Sequence, residues 1–273
     1  MRNEIIESIR RTCPRIHSIT NTITINDCAN IILAAGGSAV MASDPDEVSE
    51  MTSLCDALVL NLGAVASREA MLCAGRTANS LGHPIVFDPV AAGATALRRQ
   101  TSLRLMRELN LTAIRGNAEE IRTLALLSAM RESEDMRSFV DADQSRVMCQ
   151  SHLEQCLTDA KCLARHTGAI VVVSGIDDLV VQGERHQVFQ GGSALSARIT
   201  GSGCMLSELM GTCLAALRKG ENEPVSKWDA VCTAVEWMNE AAERAEQRTR
   251  REQGGTMTYR MFLIDEISRS AIF

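Results

Sequence analysis

The residues best suited to chemistry in this 273-residue chain are Thr200-Gly201-Ser202-Gly203-Cys204. Two glycines two positions apart let backbone N–H groups approach a bound group closely, and the apolar run from Cys204 reads as the start of a helix. Free N–H groups and the helix dipole together favour an anion at such a start. Cys204 places a thiol at the mouth of that site, where the acceptor of a phosphoryl group would wait. The segment fits neither the Gly-Lys-Ser/Thr phosphate loop nor the three-glycine dinucleotide fingerprint, so by itself it is equally a tight turn before a helix.

Other segments carry related chemistry. Asp88-Pro89 follows a predicted strand. A carboxylate there can hold Mg²⁺ directly or through water, or bond the backbone of its own turn. Arg115 ends another strand, with a two-pronged donor set that suits phosphate oxygens. Glu120 stands three residues after Asn117, the spacing of a capping box; it closes that box or serves a metal through water. Residues 17–26, His-Ser-Ile-Thr-Asn-Thr-Ile-Thr-Ile-Asn, set amides and hydroxyls ahead of an apolar helix. Met41, just past Gly36-Gly37, has the character of a core residue.

These residues need elements to hold them. Apolar runs without alternation at 57–61, 84–89, 111–115 and 169–174 predict strands buried on both faces, hence a parallel sheet; Gly116 is expected to stop the third. Residues 178–182 and 185–190 read as a hairpin around Gly183-Glu184. Helices are predicted over 26–35, from Asp44-Pro45-Asp46-Glu47 onward, and over 66–81, 97–109, 151–166, 204–218, 227–251 and 257–268. Residues 131–145 read as a solvated loop or irregular helix. The alternation predicts a layered α/β fold in one domain over 1–273. Sites in such folds gather where strands end. Asn61, Gly63, Asp88, Arg115, Asn117, Ser174 and Gly175 all fall there, a set that suits an anionic, metal-bound ligand.

Composition narrows the partners. A net charge of −6 and 3% aromatic residues leave neither a basic footprint nor a stacking surface for nucleic acid. No apolar run reaches membrane-spanning length, and Met1-Arg2-Asn3-Glu4 does not open a signal peptide, so a cytoplasmic protein is expected. Ten cysteines without a CxxC pair or metal spacing read as free thiols in a reducing compartment.

Taken in order, the motifs resemble the hydroxyethylthiazole kinase family of the ribokinase-like superfamily. The carriers are His17-Ser18-Ile19-Thr20-Asn21 with Asn26 and Ala29-Asn30, Met41-Ala42, Asn61-Leu62-Gly63, Asp88-Pro89-Val90 with Gly93-Ala94-Thr95, Arg115-Gly116-Asn117 with Glu120, and Thr200 to Cys204; Gly255 to Tyr259 is a weaker closing match. The resemblance implies a three-layer α/β/α fold with a mostly parallel sheet. It implies ATP-dependent phosphorylation of the hydroxyl of 4-methyl-5-(2-hydroxyethyl)thiazole with Mg²⁺, in a homotrimer whose active sites lie between subunits. By the same match, Met41, Asn21 and Gly201 contact the alcohol; Arg115, Ser174 and Gly203 contact ATP; Asp88 and Glu120 serve the metal; and Cys204 is catalytic. Competing readings are a kinase of another heterocyclic alcohol, an ADP-dependent dehydratase on a similar fold and a non-catalytic nucleotide binder. The chain departs from the family pattern at Ala39-Val40, Ala64, Ala92, Ser174 and Ile176. A helix N-terminus contributes only ~0.3–1 kcal/mol to an anion, too little by itself to ionise a thiol at neutral pH. Cys204 is therefore expected to orient the alcohol and take its proton late.

Overall fold

The apolar runs lack alternation because both faces of the sheet they form are covered. The computed structural model describes residues 2–129, 150–219 and 225–272. Its strands are β1 (Arg15–Ile19), β2 (Ser38–Val40), β3 (Ala57–Asn61), β4 (Ile85–Asp88), β5 (Ala113–Asn117), β6 (Ile170–Ser174), β7 (Asp178–Gln182) and β8 (Arg185–Phe189). They form one sheet in the order β2-β1-β3-β4-β5-β6-β7-β8. Pairing is parallel from β2 to β6 and antiparallel across the β7–β8 hairpin.

The helices are α1 (Arg2–Thr12), α2 (Ile25–Ala34), α3 (Val48–Ser53), α4 (Arg68–Leu81), α5 (Ala96–Glu108), α6 (Ala118–Ala129), α7 (Gln150–Thr167), α8 (Ser202–Lys219), α9 (Lys227–Arg251) and α10 (Thr256–Ile272). The two-residue period of each strand sorts its side chains between two helical layers. Val59, Val86 and Val172 join the core formed with α1, α2, α8, α9 and α10. Leu58, Leu60, Ile85, Phe87, Val171 and Val173 join the core formed with α3 to α7. This is the three-layer α/β/α architecture. The central helix α9 starts with a reciprocal capping box, Ser226 Oγ accepting from Asp229 N and Asp229 Oδ2 from Ser226 N.

Several boundaries differ from expectation, each for a local reason. Asp44 does not open a helix: its carboxylate accepts from Asp46 N at 2.9 Å and its carbonyl from Glu47 and Val48. That turn uses the capping groups, and α3 begins only at the buried Val48. Gly116 does not end β5, because Gly116 and Asn117 pair with Val173 and Ser174 of β6. Its lack of a side chain serves close packing instead: a Cβ there would sit 3.0 Å from Glu120 Cβ and 3.2 Å from Pro89 Cγ. α8 begins at Ser202, two residues before Cys204. Sequence reasoning also passed over α1, β1 and β2. β1 carries the buried polar pair His17-Ser18 and so lacks an apolar run, and β2 spans only three residues. The loop expected at 131–145 lies outside the described residues. Among the described residues, all nine cysteines are free, and no helix is long and apolar enough to cross a membrane.

Candidate active site

The parallel strands deliver their polar termini to one edge of the sheet. Asn61 and Asp88 stand side by side in the β3–β4 register, as do Asn117 and Ser174 in the β5–β6 register. Asn61 Nδ2 donates to Asp88 Oδ2 at 3.1 Å and to Cys204 Sγ at 3.1 Å. Ser207, one turn into α8, donates to the same Asp88 oxygen at 3.0 Å. The other oxygen, Asp88 Oδ1, is buried without a hydrogen-bond partner and lies 3.9 Å from Arg115 Nη1. Arg115 in turn donates through Nη2 to Ser174 Oγ at 2.5 Å.

Two glycines make the approach of α8 possible. At Gly203 a Cβ would lie 2.2 Å from Arg115 Nη1, so any side chain there displaces the guanidinium. Gly201 adopts φ +89°, which disfavours other residues, and a Cβ would lie 3.0 Å from Thr24 Cγ2 of the loop before α2. Neither a side chain nor a carbonyl among the described residues takes the N–H groups of Ser202, Gly203 or Cys204. Asn21 borders this start. Its Oδ1 accepts from Ile23 N and Thr24 N, and its Nδ2 lies 2.9 Å from Thr24 Oγ1 and 3.9 Å from Cys204 Sγ.

Burial sets the electrostatics of the group. Asp88 is wholly enclosed, and burial, with the neighbouring Cys204 charge, raises its carboxyl well above the usual range. Cys204 moves the other way, down to about 6. The neighbouring Cys28 thiol contributes most, ahead of burial, which opposes; Thr24, the Arg115 charge and Asn61 add to the lowering. The dipole of α8 was too weak a lever alone, and side-chain donors supply the remainder. The shift is thus toward the thiolate, the direction that the helix end favours but is too weak to give alone.

Two predicted residues stand apart from this group. Met41 lies half-buried just beyond β2, toward the end of the same edge, and its neighbour Ala42 accepts from His17 Nε2 at 2.9 Å. Glu120 closes the box with Asn117: its Oε2 accepts from Asn117 N at 2.8 Å and Asn117 Oδ1 accepts from Glu120 N at 2.9 Å. Glu120 Oε1 accepts from Ala91 N at 2.8 Å, tying α6 to the turn after Asp88.

The profile of the hydroxyethylthiazole kinase family matches residues 6–271. A hydroxyethylthiazole kinase of Desulfovibrio desulfuricans is 42% identical, over 97% of this chain and 92% of its own length. One of Clostridium acetobutylicum is 38% identical over 98% and 94%. The chain belongs to the hydroxyethylthiazole kinase family. The structure of a hydroxyethylthiazole kinase protein from Pyrococcus horikoshii superposes with a TM-score of 0.81 at 30% identity, covering 97% of this chain and 92% of that one. An ADP/ATP-dependent NAD(P)H-hydrate dehydratase of Bacillus subtilis, at 12% identity and a TM-score of 0.53, shares the fold alone. As a family member the chain is a ribokinase-like phosphotransferase.

For this kinase-family site, a cation can be tested against the donors present. Asp88 Oδ1 is a buried hard oxygen with free lone pairs, which fits Mg²⁺. Glu120 has given one lone pair of each oxygen to backbone N–H groups and fits only as a partner reached through water. Among the described residues no three His, Cys, Asp or Glu side chains converge as a metal cage. Sequence reasoning gave no role to Asn61, Ser207, Cys28 or Glu208. Asn61 was visible as a polar strand end, and Glu208 as a carboxylate inside the apolar run of α8.

Proposed function

We propose that the chain, as one domain, transfers the γ-phosphoryl group of ATP to the hydroxyl of 4-methyl-5-(2-hydroxyethyl)thiazole, with Mg²⁺. The observation that carries this reading is the open start of α8 at Gly201 to Cys204, faced by Arg115, Asp88 and a thiol that favours ionisation. Phosphoryl transfer runs through a loose transition state, so catalysis is chiefly positioning and charge neutralisation. The N–H groups at Ser202, Gly203 and Cys204 hold the transferring group. Arg115, braced by Ser174, binds the nucleotide phosphates. Asp88 Oδ1 would hold the metal, Glu120 would serve it through water, and the cation would supply neutralisation of phosphate charge. Asn21, Met41 and Gly201 line the alcohol. Cys204, held by Asn61, orients the hydroxyl and takes its proton as the O–P bond forms.

The departure at Ala39-Val40, next to Met41, favours one second reading, a related heterocyclic alcohol as acceptor. A homotrimer with sites between subunits is part of the proposal. Ile23, Met257 and Met261, 76%, 66% and 53% exposed, are apolar surface that a neighbouring copy would cover. A cytoplasmic setting accords with the many free thiols. ADP formation with the thiazole alcohol and a panel of analogues tests the reading. Turnover should be fastest with the thiazole; a faster analogue replaces the acceptor, and no ADP with any alcohol overturns the kinase assignment. Light scattering on the eluting protein tests the trimer.

A further inference from the structure

Two of the residues proposed to line the alcohol, Asn21 and Met41, follow neighbouring strands, and one buried side chain joins their supports. His17 lies in β1, wholly enclosed, in register beside Val40 at the end of β2. Its chain neighbours face the layer of α8: Ile16 belongs to that core, and Ser18 Oγ donates to Glu208. The two-residue period of the strand therefore turns His17 toward the opposite layer, where α3 packs. Met41 and Ala42 come directly after β2, and the chain enters its next helix only at Val48.

His17 stands between these pieces. Its Nδ1 lies 2.8 Å from Thr52 Oγ1 of α3, and its Nε2 lies 2.9 Å from the Ala42 carbonyl. A carbonyl only accepts, so Nε2 carries a proton. The Thr52 hydroxyl also lies 2.6 Å from the Val48 carbonyl, and its single hydrogen can turn to either neighbour. Beside a neutral ring the hydroxyl donates to Nδ1; beside a charged ring it accepts from Nδ1 and donates to Val48. The bond from Nε2–H to Ala42 is the same in both cases. Burial foremost lowers the pKa of the ring, against the Ala42 bond, which raises it.

That bond matters for what it holds. Among the described residues, no other side chain bonds the backbone of residues 41–43. The segment is tied at one end by β2 and at the other by the turn that Asp44 closes with Asp46, Glu47 and Val48. Methionine is unbranched and adaptable, so it shapes a pocket wall only where its backbone is fixed.

We propose that His17 is a positioning residue for the acceptor: its Nε2–H pins the Ala42 carbonyl and so sets Met41 as the wall on which the ring of a heteroaromatic alcohol rests. The proposal rests on the kinase reading for its ligand. Asn21, on the other side of the alcohol, follows β1 by two residues, so the strand that carries the brace also carries the second wall. Arg115 and Ser174, proposed for the nucleotide, belong to β5 and β6 and bond each other. Loosening His17 should therefore weaken the alcohol and spare ATP.

The test combines substitutions with two readouts. His17→Asn keeps an amide near Thr52 but loses the reach to Ala42, whereas His17→Gln places an amide nitrogen near the position of the imidazole Nε2. In His17→Asn, KM for the thiazole alcohol should rise roughly 5- to 10-fold, with kcat and KM for ATP within roughly twofold of wild type. His17→Gln should return the alcohol KM to within roughly threefold. Thr52→Val leaves the Ala42 bond in place, so it should lower the unfolding temperature and leave the alcohol KM within roughly twofold. On a Met41→Ala background, His17→Asn should add less than roughly twofold, because it acts through that side chain. Amide hydrogen exchange of residues 41–43, read by mass spectrometry on the free full-length protein, needs no turnover; it should quicken roughly fivefold or more in His17→Asn and stay near wild type in His17→Gln.

An unaltered alcohol KM in His17→Asn overturns the proposal, whether or not exchange quickens. So does an equal rise in KM for ATP, full additivity with Met41→Ala, or a Thr52→Val defect as large as that of His17→Asn. His17→Gln is the variant chosen to keep the fold, and a roughly tenfold rise in its alcohol KM overturns the proposal by itself. Quickened exchange in His17→Asn, when the wild-type protein forms no ADP with any alcohol, removes the kinase reading and leaves the brace on residues 41–43 standing.

Discussion

Two helices begin beside the sheet edge, and they begin in opposite ways. α6 starts closed: Asn117 and Glu120 satisfy each other's backbone groups, and Glu120 spends its second oxygen on Ala91. α8 starts open: Gly201 is left-handed, no group among the described residues takes the next three N–H groups, and Arg115 packs where a Gly203 side chain would be. The carboxylates follow the same division, for Glu120 is spent on backbone while Asp88 keeps a buried oxygen free. Orphan polar groups are costly in a folded interior, so a start left open beside an unpaired carboxylate oxygen marks where a ligand completes the structure. A closed start marks where the fold completes itself.

The sharpest way to break this contrast is Asp88→Asn, which should cost about 10³-fold in kcat, or about 4 kcal/mol of transition-state stabilisation. It should not cost stability. The folded-state carboxyl is raised above its ordinary value of 3.8, so its stabilising contribution is full below that pH and is lost as pH rises toward the folded value. At neutral pH the amide should unfold at or above the wild-type temperature. Loss of stability with retained turnover would make this turn as structural as that of α6.

Next in size is Cys204→Ala, expected to lower kcat about 100-fold, whereas Cys204→Asp keeps or raises it. The wild-type rate should fall as pH drops through about 6, where the thiolate takes its proton, and that limb should vanish in Cys204→Ala. Equal rates for wild type and Cys204→Ala would remove the thiol from the chemistry. Gly203→Ala ranks third. Its Cβ displaces the Arg115 guanidinium, so KM for ATP should rise about tenfold, about 1.4 kcal/mol, with a smaller change in kcat. Initial rates over a range of ATP concentrations separate the two.

How much of this was readable beforehand depended on how far apart the partners lie. β3, β4 and β6 were legible because enclosed parallel strands are apolar throughout, and the strand ends then placed Asp88 and Ser174 at one edge; Arg115, expected to end its strand, lies two residues inside β5 because the strand runs on to Asn117. β1 was not, because His17 and Ser18 are buried for their hydrogen bonds rather than their apolarity. The open start of α8 could be read from Gly201 and Gly203. The setting of its thiol could not, since Cys28 reaches Cys204 only through the packing of α2 on α8, elements far apart in sequence. Asn61 was visible as a strand end, but its shared bond to Asp88 and Cys204 emerges only from the register of β3 with β4 and the seat of α8 above them.

The smallest effects should come from the closed start, and they test the contrast from its other side. Glu120→Ala removes the carboxylate half of the capping box and the tie to Ala91, leaving only the residue-120 N–H on Asn117 Oδ1, which should cost about 1 kcal/mol and lower the unfolding temperature by about 2–4 °C. Glu120→Gln still offers one oxygen to the backbone and should lose roughly half as much. Because Glu120 reaches a cation only through water, its activity defect should appear as a few-fold rise in the Mg²⁺ needed for half-maximal rate, about 3- to 10-fold, with kcat restored at saturating Mg²⁺. Rates titrated with Mg²⁺ alongside thermal unfolding distinguish the roles. If Glu120→Gln lost kcat as severely as Asp88→Asn at saturating Mg²⁺, with the unfolding temperature unchanged, the box would be incidental. α6 would then start at the ligand just as α8 does.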